Sequence, residues 1–395
     1  MRIADVVKNS IWHDPRVRKQ IISYVSHGYD VAGVGVFDSR YNELELSKLG
    51  CESLIDKKEV KNGKTIIGKI IREIRTNRII TSSIINFNPD IIHANDLNAL
   101  IPAFKAYKKI SKKKKVLLIY DSHEIFLENP WINNNKIKKM IWGFHERRIV
   151  KKADIFVCVS NAAKLYFEKK YKIKKIIVIT NSVMESSILY PKLFSNHVDI
   201  LNQGQFYTGR GYFEMIDAAS KSSDSNITFT LRGFGRLEPQ LKNRAKELGL
   251  KNLIFAAPVQ TTELIESASK SSIGVAITQK ISKNFIYSVS NKIFEYAAAG
   301  LPVIMSDIPE HKYLNDIYNF GVIIPRDDGD SILNAAKIIL KSKEKYELFS
   351  KNAIKMAQNT CWEVEFDKLL KEIEYENQCY WRRLYWVTNC SHFCI

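Results

Sequence analysis

One segment of the sequence combines a lysine, a glutamate and a helix start at a spacing that suits an anionic ligand. Residues 288–307 read SVSNKIFEYAAAGLPVIMSD, which predicts a loop, a helix beginning near Asn291, a stop at Gly300 and a buried strand. The first turn of a helix offers free backbone N–H groups and a positive dipole end to a phosphate. Lys292 adds a charge there, and Glu295, one turn further on, can accept hydrogen bonds from both hydroxyls of a ribose. Standing alone, such a glutamate would be an ordinary surface acid.

Short apolar, β-branched runs alternate with helix-like segments along the chain, a pattern typical of parallel sheets covered by helices on both faces. Six strands are predicted before residue 182, at 2–7, 31–37, 90–94, 116–121, 154–160 and 176–181, and six after it, at 200–204, 227–233, 253–258, 272–278, 302–307 and 321–325. The segment 182–199 between them loses the pattern and contains Pro191, which predicts a linker. We expect an α/β protein of two doubly wound units, with a ligand site in the cleft where strand ends converge.

Length and composition favour a reduced, cytoplasmic protein. With 395 residues, 45% of them hydrophobic, the chain can bury two cores of ordinary domain size. Its first residues predict a strand rather than a signal peptide, and no apolar run approaches the ~18 residues of a membrane span. The 6 cysteines include no C-x-x-C pair and no histidine partner at zinc-ligand spacing.

Positive charge is concentrated in the first half of the chain. Residues 1–190 carry 35 Lys and Arg against 19 Asp and Glu, a net charge of +16, whereas residues 191–395 carry only +2. Such a one-sided field suits nucleic acid, an anionic membrane surface or a pyrophosphate-bearing substrate. The alternative is a lysine-rich, solvated surface without a partner. No recognisable nucleic-acid-binding module accompanies the charge, which argues against nucleic acid.

Two basic segments have both a structural and a membrane interpretation. In 64–80, one helical stripe holds Ile66, Ile67, Ile70, Ile71 and Ile74, and on or near the other face lie Lys69, Arg72, Arg75 and Arg78. The stripe either packs on the sheet, or belongs to a basic helix that also rests on lipid headgroups, where each cation contributes on the order of 1 kcal/mol. The run from Lys112 to Lys115 is expected in a turn, as a solvated loop or a phospholipid-facing patch.

Several motifs, taken in order, resemble one protein family. Residues 288–307 are similar to the donor-site motif of retaining GT-B glycosyltransferases of the family-4 type, in which a loop, a helix with a Glu and then Ala-Gly-Leu-Pro-Val-Ile grip the nucleotide. Other segments agree in register: Asp14-Pro15-Arg16-Val17, Gly28-Tyr29, His93-Ala94-Asn95-Asp96, Asp121-Ser122-His123-Glu124, Val159-Ser160-Asn161 and Gly204 to Gly211. Together they span about residues 2–375. The resemblance implies a bacterial surface-polysaccharide glycosyltransferase.

The resemblance also implies the domain organisation. In the GT-B fold two Rossmann-like domains face each other across a cleft, which makes residues 1–185 the acceptor-binding domain and residues 195–361 the nucleotide-sugar donor-binding domain. The segment 362–395 is expected to complete the first domain. Its end, CYWRRLYWVTNCSHFCI (379–395), has no counterpart in the family. This aromatic tail is either an interfacial membrane anchor or a segment packed back on the first half.

Donor-binding roles follow from the resemblance residue by residue. Arg210 stands where such enzymes place a cation on the donor diphosphate, Lys292 reinforces it, and Glu295 holds the ribose. The neighbouring positions expected to contact the donor are Gly209, Gly211, Tyr287, Ser290 and Asn291, together with the strand-end pair Gly233 and Gly235, which lets the chain pass close to the base. The cations would do the work of a divalent metal, so neither a metal nor another cofactor is expected.

The resemblance places a second group of residues on the acceptor side. His123, at the end of strand 116–121, is implied to touch the transferred sugar, so that His123, Arg210 and Glu295 are the candidate catalytic residues. Glu124 would contact donor or acceptor, and the acceptor side would also include His93, Asp96, Asp14 and Arg16, the last two without an assigned role. The structural alternatives are a hydrogen-bonded histidine at His123 and a surface charge at Arg210.

Two positions depart from the family pattern. The family commonly has two acids seven residues apart, and with Glu295 as the second acid, the first position is Tyr287. Gln205 follows Gly204 where many relatives have an arginine. One contact to the donor sugar and one diphosphate cation must therefore be supplied by other groups.

The expected activity is retaining transfer of a sugar from a nucleotide diphosphate sugar, UDP by family frequency, to a polyprenyl-pyrophosphate-linked or other lipid-linked saccharide. The setting would be capsule or lipopolysaccharide assembly by a cytoplasmic enzyme held peripherally at the inner membrane face, without nucleic acid. Two alternatives stay open. A GT-B-fold sugar-nucleotide epimerase would need no acceptor and would leave the basic half unexplained, and a catalytically silent binding subunit is suggested by Tyr287 and Gln205.

Overall fold

The computed structural model consists of two parallel α/β units, each built around one sheet. It describes residues 1–36, 52–53, 65–173 and 175–390, the last helix from residue 379 onward by its backbone alone. The first sheet has seven strands in the order β3-β2-β1-β4-β5-β6-β7. They are β1 (Arg2–Val6), β2 (Asp30–Val34), β3 (Glu52–Ser53), β4 (Ile91–Asn95), β5 (Leu117–Ser122), β6 (Ile155–Cys158) and β7 (Ile176–Val178).

Helices cover both faces of the first sheet, as its strands, buried on both faces, require. Those of the first unit are α1 (Pro15–Ser26), α2 (Ile66–Phe87), α3 (Asp96–Ile110), α4 (Pro130–Asn133), α5 (Lys136–Val150) and α6 (Asn161–Tyr171). On one face, α2, α3, α5 and α6 share a core with side chains such as Tyr120. On the other face, α1 packs together with the final helix α15 (Trp362–Cys390).

The second sheet has six parallel strands in the order β10-β9-β8-β11-β12-β13. They are β8 (Val198–Gln205), β9 (Ile227–Phe234), β10 (Leu253–Ala256), β11 (Ile273–Ala276), β12 (Val303–Ser306) and β13 (Gly321–Ile324). The helices around it are α7 (Tyr212–Lys221), α8 (Glu238–Glu247), α9 (Leu264–Ala268), α10 (Lys283–Tyr287), α11 (Asn291–Ala298), α12 (Pro309–Tyr318), α13 (Gly329–Ile339) and α14 (Lys343–Asn359). In both sheets the order reverses beside the first strand, which is where open α/β sheets form ligand crevices.

The predicted α/β architecture of two doubly wound units is confirmed. All twelve predicted strands are present, shifted by a few residues at their ends. The strand missed by the sequence, β3, is two residues long and too short to carry a periodic signal. The helix expected near Asn291 begins at that residue, and Gly300 follows it with φ +72°, a conformation that glycine adopts without a Cβ penalty.

The last helix returns to the first sheet after the chain leaves the second. Trp362 is fully buried there, and its indole N–H donates to the Ser23 hydroxyl at 2.9 Å. The backbone N–H of Thr180 donates to the Glu365 carboxylate at 2.8 Å. Residues 391–395 lie outside the described ranges, so both interpretations of the aromatic tail stay predictions.

The isoleucine stripe predicted in 64–80 does not pack on the sheet. Four isoleucines in the N-terminal part of α2 are exposed, Ile67, Ile70, Ile71 and Ile74, whereas Ile80 and Ile84 near its C-terminal end are buried in the core. Lys64 and the side chain of Ile66 lie outside the described set. Across the described ranges, the structure contains no helix with the length and apolarity that crossing a membrane would need.

Candidate functional site

Glycines shape the edge of the second sheet that faces the cleft. Gly233 on β9 is paired with Gly204 on β8, and a Cβ at Gly233 would lie 1.9 Å from the Gly204 carbonyl oxygen. Gly211 begins α7 with φ +79°, and a Cβ there would lie 2.5 Å from Ile277. Both positions need glycine because φ is positive and a Cβ would overlap the Gly204 backbone at Gly233 and the Ile277 side chain at Gly211. The turn holding Gly209, Arg210 and Gly211 is thereby drawn against the sheet.

Arg210 lies in this turn with its guanidinium over an aromatic ring. Its Cζ atom is 4.6 Å from the centroid of Phe285, a cation–π contact. Burial lowers the pKa of Arg210, although the group stays charged at neutral pH. Within the part of the chain that the structure describes, no carboxylate lies within ion-pair distance of this guanidinium. The site thus holds a half-buried cation whose charge is not neutralised by an acid.

Lys292 supplies a second cation at the start of α11. Its ammonium donates to Oδ1 of Asn202 at 2.6 Å and lies 3.3 Å from the hydroxyl of Tyr212. Burial, with the nearby Arg210 charge, lowers the pKa of Lys292 to about 7, and Glu295 opposes this shift. Loss of a proton near neutral pH is the expected response of a buried ammonium beside another cation. An anion in this place would favour the charged form.

Glu295 lies one turn into α11, half-buried. Its Oε2 accepts a hydrogen bond from Nε2 of Gln203 at 2.9 Å, and burial raises the pKa of its carboxyl above the usual value. Ser290 is the N-cap residue but makes no side-chain cap hydrogen bond, and Asn291 beside it is exposed. Backbone N–H groups in the first turn of α11 are therefore left for another acceptor.

His123 forms the centre of a charged network on the first unit. Its backbone N–H donates to Asp96 at 2.9 Å, and its ring Nδ1 lies 3.6 Å from the same carboxylate. Ring Nε2 lies 3.0 Å from Oδ1 of Asn95 and 3.7 Å from Asp121. Burial alone would lower the pKa of His123, but the two carboxylates outweigh it and raise the pKa to about 9. The imidazole is thus a cation at neutral pH.

Asp96 itself has an unusual backbone. With φ +63° it is one of four non-glycine residues of the described chain in the left-handed region, where an aspartate pays a conformational cost. Burial raises the pKa of Asp96 to about 6, although His123 opposes the shift. Backbone strain of this kind persists where the surrounding structure enforces it. The bend at Asp96 holds the His123 main chain at the end of β5.

Arg16 and Asp121 form a buried ion pair beneath this network. The guanidinium Nε and Nη2 atoms donate to the two oxygens of Asp121 at 2.9 and 3.0 Å, and Nη1 donates to the carbonyl of Ile179 at 3.0 Å. Both side chains are almost fully buried. Asp14 caps α1 by accepting from the N–H groups of Arg16 and of Val17. The two residues of the first loop thus anchor α1 to the sheet.

His93 lies inside the first unit rather than on the cleft surface. It is fully buried on β4, and its Nδ1 lies 2.9 Å from the hydroxyl of Tyr24. Its Nε2 has no hydrogen-bond partner in the described structure and lies 3.6 Å from Asp121. The structure therefore groups His93 with the buried support beneath His123 and not with Asp96 at the cleft edge.

Glu124 and Tyr287 lie where the two units meet. The Glu124 carboxylate accepts a hydrogen bond from the side-chain amide of Asn129, and burial, followed by the charge of Asp96, raises the pKa of Glu124 to about 7. Asn284 of the second unit donates to Oδ1 of Asn129 at 2.8 Å. Tyr287 packs against the core of the first unit, with its ring centroid 5.8 Å from that of Tyr166. Tyr287, which occupies the position of the family's first acid, thus contributes to the packing between the two units.

Several polar residues of the site were not predicted from the sequence. Asn202 and Gln203 precede Gly204 on β8 and hold Lys292 and Glu295. Lys19 of α1 donates to Asn181 at 2.9 Å, and burial lowers its pKa to about 7, with Glu295 among the acids that oppose the shift. The one sequence signal for Asn202 and Gln203 is a polar residue near the end of an apolar strand, which is too common to single them out. Lys19 is one of several basic residues on α1 and carries no distinguishing signal.

Taken together, the second unit supplies two cations and a carboxylate at the edge of its sheet. The first unit supplies the positively charged His123 at the end of β5. Such a set can bind a diphosphate and a ribose on one side and a neutral hydroxylated ligand on the other. Over the residues that are described, no group of three or more His, Cys, Asp or Glu side chains is arranged to hold a metal ion.

Family comparisons agree with this arrangement. Residues 54–186 match the family model described as Glycosyltransferase Family 4, and residues 191–356 match the model described as Glycosyl transferases group 1. The two matches are separated only by residues 187–190 and divide the chain between its two sheets. No curated protein sequence matches the chain.

Solved structures share the fold. Sucrose-phosphate synthase from Thermosynechococcus elongatus superposes with a TM-score of 0.74 at 15% identity, covering 98% of this chain and 100% of that one. The Anabaena protein HepE in complex with UDP and glucose gives 0.70 at 14% identity, covering 95% and 100%. The lipopolysaccharide outer core galactosyltransferase WaaB gives 0.65 at 13% identity, also covering 95% and 100%. At these identities the likeness establishes the GT-B fold.

Proposed function

The chain belongs to the family-4-type glycosyltransferases with the GT-B fold, and from this premise we propose that it is a retaining transferase acting from a UDP-sugar onto a lipid-linked saccharide. The observation that carries the proposal is the cluster of Arg210, Lys292 and Glu295 at the cleft edge of the second sheet. Each of them is half-buried or buried, and neither cation is paired with an acid in the described structure. A nucleoside diphosphate supplies the two groups that this cluster lacks, an anion and a pair of hydroxyls.

The donor would bind with its diphosphate at Arg210 and Lys292. The free N–H groups at the start of α11 add further donors, and the helix dipole favours negative charge there. Glu295 would accept hydrogen bonds from the ribose, with Gln203 holding its other side. UDP is preferred because HepE, a structural neighbour, binds UDP and glucose.

Transfer would break the bond between the anomeric carbon and the leaving diphosphate oxygen while the acceptor oxygen bonds to the same carbon. In the retaining reaction that we propose, the acceptor arrives on the face that the diphosphate leaves, and a diphosphate oxygen takes the hydroxyl proton. The two cations stabilise the charge that builds on the leaving group, and the protein otherwise positions the reactants. Neither a divalent metal nor another cofactor is needed in this scheme.

His123 would face the transferred sugar from the first unit. As an imidazolium it can donate hydrogen bonds to sugar hydroxyls and add positive charge near the leaving group, and Asp96 fixes its backbone. Glu124, which follows the same strand, would contact the acceptor or the donor. The buried residues Arg16 and His93 would act through this network without touching substrate.

The acceptor is inferred from charge. The first half of the chain carries a net +16, and a pyrophosphate-linked or other lipid-linked saccharide on an anionic membrane complements that field. A neighbour described as a lipopolysaccharide outer core galactosyltransferase supports a role in surface-polysaccharide assembly. We therefore propose a cytoplasmic enzyme held peripherally at the inner face of the cell membrane, its first unit binding the acceptor and its second the donor.

The test is transfer of radiolabel from a panel of UDP- and GDP-sugars into a membrane lipid extract, with EDTA present. Wild type is compared with Arg210→Ala and Glu295→Ala, and the anomeric configuration of the product is read by NMR. We expect one donor to label the lipid fraction, in both the presence and absence of EDTA, with label lost in both variants. UDP binding without transfer from any donor would overturn the transferase proposal in favour of an epimerase or a silent subunit.

A further inference from the structure

A stripe of exposed apolar side chains runs along α5, outside the cleft. Ile137, Met140, Ile141 and Phe144 are 67%, 69%, 51% and 63% exposed, and Trp131, just before the helix, is 57% exposed. The four helical positions are three and four residues apart, so they lie on one face. Scattered exposed apolar residues are common, but a continuous stripe on one helix marks an interaction surface.

Lysine and arginine side chains surround the stripe, and the acidic residue of α5 is buried. Lys136 and Lys138 flank Ile137, and Arg147 and Arg148 follow Phe144 by one turn, all four exposed. Glu146 is the one acid on α5; it is buried and accepts hydrogen bonds from Tyr120 and Tyr171. The exposed face of α5 therefore combines apolar groups with positive charge alone.

The helix is held firmly from behind. Ile149 and Val150 are buried in the core of the first unit, and Lys139 donates to both oxygens of Glu128 at 3.0 and 3.1 Å. A groove of about 400 Å³ runs beside the stripe, and among its lining residues are Met140, Phe144, Arg147 and Lys170. The apolar stripe thus lies on a fixed element beside a groove lined by basic side chains and by Glu128, whose carboxylate is paired with Lys139.

The position of α5 relates this surface to the cleft. The chain leaves β5 at Ser122, passes through His123 and Glu124, and reaches the start of α5 at Lys136. A helix that follows a parallel strand begins at the carboxyl edge of the sheet, which is the cleft edge. The apolar stripe therefore starts close to the residues that we assign to the acceptor.

We propose that the surface formed by Trp131 and the exposed stripe of α5 docks the protein on an anionic phospholipid bilayer. A single helix with an apolar stripe edged by lysine and arginine, with an aromatic ring at its end, has the chemistry of an interfacial helix. This inference deepens the proposed function, because a lipid-linked acceptor requires the cleft to lie near the bilayer. The surface is assigned to α5 rather than α2 because α5 follows β5, the strand that leads to His123 and Glu124.

The experiment is co-sedimentation of the full chain with vesicles of phosphatidylcholine, with and without about 30% phosphatidylglycerol. The test variants are Ile141→Gln with Phe144→Gln, and Arg147→Ala with Arg148→Ala. The matched control is Ile317→Gln with Leu348→Gln, two exposed apolar residues of the second unit that are 54% and 51% exposed. Melting temperature and UDP binding are measured for each protein, which separates a docking defect from misfolding.

We expect wild type and control to bind the anionic vesicles, in a salt-sensitive manner, and each test variant to bind about tenfold more weakly with UDP binding unchanged. Equal vesicle binding by wild type and test variants, or saturable binding of wild type to a purified protein in place of vesicles, would overturn the inference. If wild type transfers sugar to a detergent-solubilised acceptor but does not bind vesicles, the docking proposal is wrong while the proposed function stands. Vesicle binding without any sugar transfer would support docking and contradict the proposed transferase activity.

Discussion

The side-chain amide of Asn202 is hydrogen-bonded both to the Lys292 ammonium and to the backbone of Arg210. Its Oδ1 accepts from the Lys292 ammonium at 2.6 Å, and its Nδ2 donates to the Arg210 carbonyl at 3.1 Å. A single amide thus sets the spacing of the two groups that we assign to the diphosphate.

Lys292 should gain a proton when a nucleoside diphosphate binds. In the free protein, burial and Arg210 lower its pKa to about 7, whereas a bound diphosphate stabilises the charged form and raises the pKa. UDP affinity should therefore fall as pH rises above about 7, by up to tenfold per unit, with proton uptake near pH 8. Calorimetry in buffers of different ionisation enthalpy measures the uptake. Lys292→Arg should bind UDP without it, and uptake that persists in this variant would contradict the assignment.

Arg210→Ala should reduce kcat more than it weakens substrate binding. The guanidinium is placed to stabilise charge that develops on the leaving diphosphate, and loss of such a group costs about 10²–10³ in kcat. Steady-state kinetics with the identified donor gives kcat and KM separately. Arg326→Ala, which removes an arginine 78% exposed, is the control and should retain wild-type values. A change in KM alone would mean that Arg210 binds the ground state and the transition state equally and gives no preferential stabilisation of the leaving group.

Glu295→Gln should remove recognition of the ribose hydroxyls. Wild type should bind UDP about tenfold more tightly than 2′,3′-dideoxy-UDP, since without the hydroxyls the half-buried carboxylate keeps only its hydrogen bond from Gln203. The variant should bind the two ligands with similar affinity. Titration of both proteins with both ligands forms a thermodynamic cycle. If the substitution and the loss of the ribose hydroxyls change the binding free energy additively, a direct contact between Glu295 and the hydroxyls is excluded.

His123 should stabilise the fold in a pH-dependent manner. Its pKa of about 9 in the folded state exceeds the unfolded value of about 6.5, so its contribution is fully present below about pH 6.5 and is lost as pH rises through about 9. His123→Gln should be less stable than wild type by on the order of 2 kcal/mol at about pH 6, with a difference that shrinks toward pH 9. Urea unfolding at several pH values gives the difference. His197→Gln, at an exposed position, is the control.

Gly233→Ala should destabilise the second unit severely. A Cβ at this position would overlap the Gly204 carbonyl oxygen at 1.9 Å, and the φ of +147° is one that alanine rarely adopts. We expect a cost of about 3 kcal/mol or more, from displaced backbone as well as strain. Gly249→Ala is the control: φ is +61° with nothing within 4 Å, so about 1 kcal/mol is expected. Thermal unfolding followed by far-UV circular dichroism compares the two, and equal costs would refute the close approach.

The sequence predicted the architecture and the helix start that carries Lys292 and Glu295 because both depend on local patterns, whereas Arg210 was expected only through the family resemblance. Apolar runs identified the strands, and the helix start before Lys292 and Glu295 is visible in one continuous segment. The partners of these residues could not be predicted in the same way. Asn202 and Gln203 reach them from a strand about 90 positions away, and strand pairing alone brings them together.

The roles of His93 and Arg16 illustrate a different limit. Both have residue types and positions typical of a ligand site, yet one is fully buried beside Tyr24 and the other is paired with Asp121. A polar residue at a strand end serves the cleft or the core depending on the side chains packed around it, which the sequence does not state. The exposed stripes of α2 and α5 show the same limit from the apolar side, since periodicity identifies a helix face without saying what covers it.

The return of α15 to the first sheet has a consequence for synthesis of the chain. Trp362, Phe366, Leu369 and Ile373 complete one face of that sheet, and they emerge from the ribosome only after the whole second unit. Until then α1 and the strands beneath it expose apolar surface, even though their own residues were made first. The N-terminal half therefore cannot finish folding until the second unit has been synthesised, and a nascent chain that stops before residue 362 should depend on chaperones.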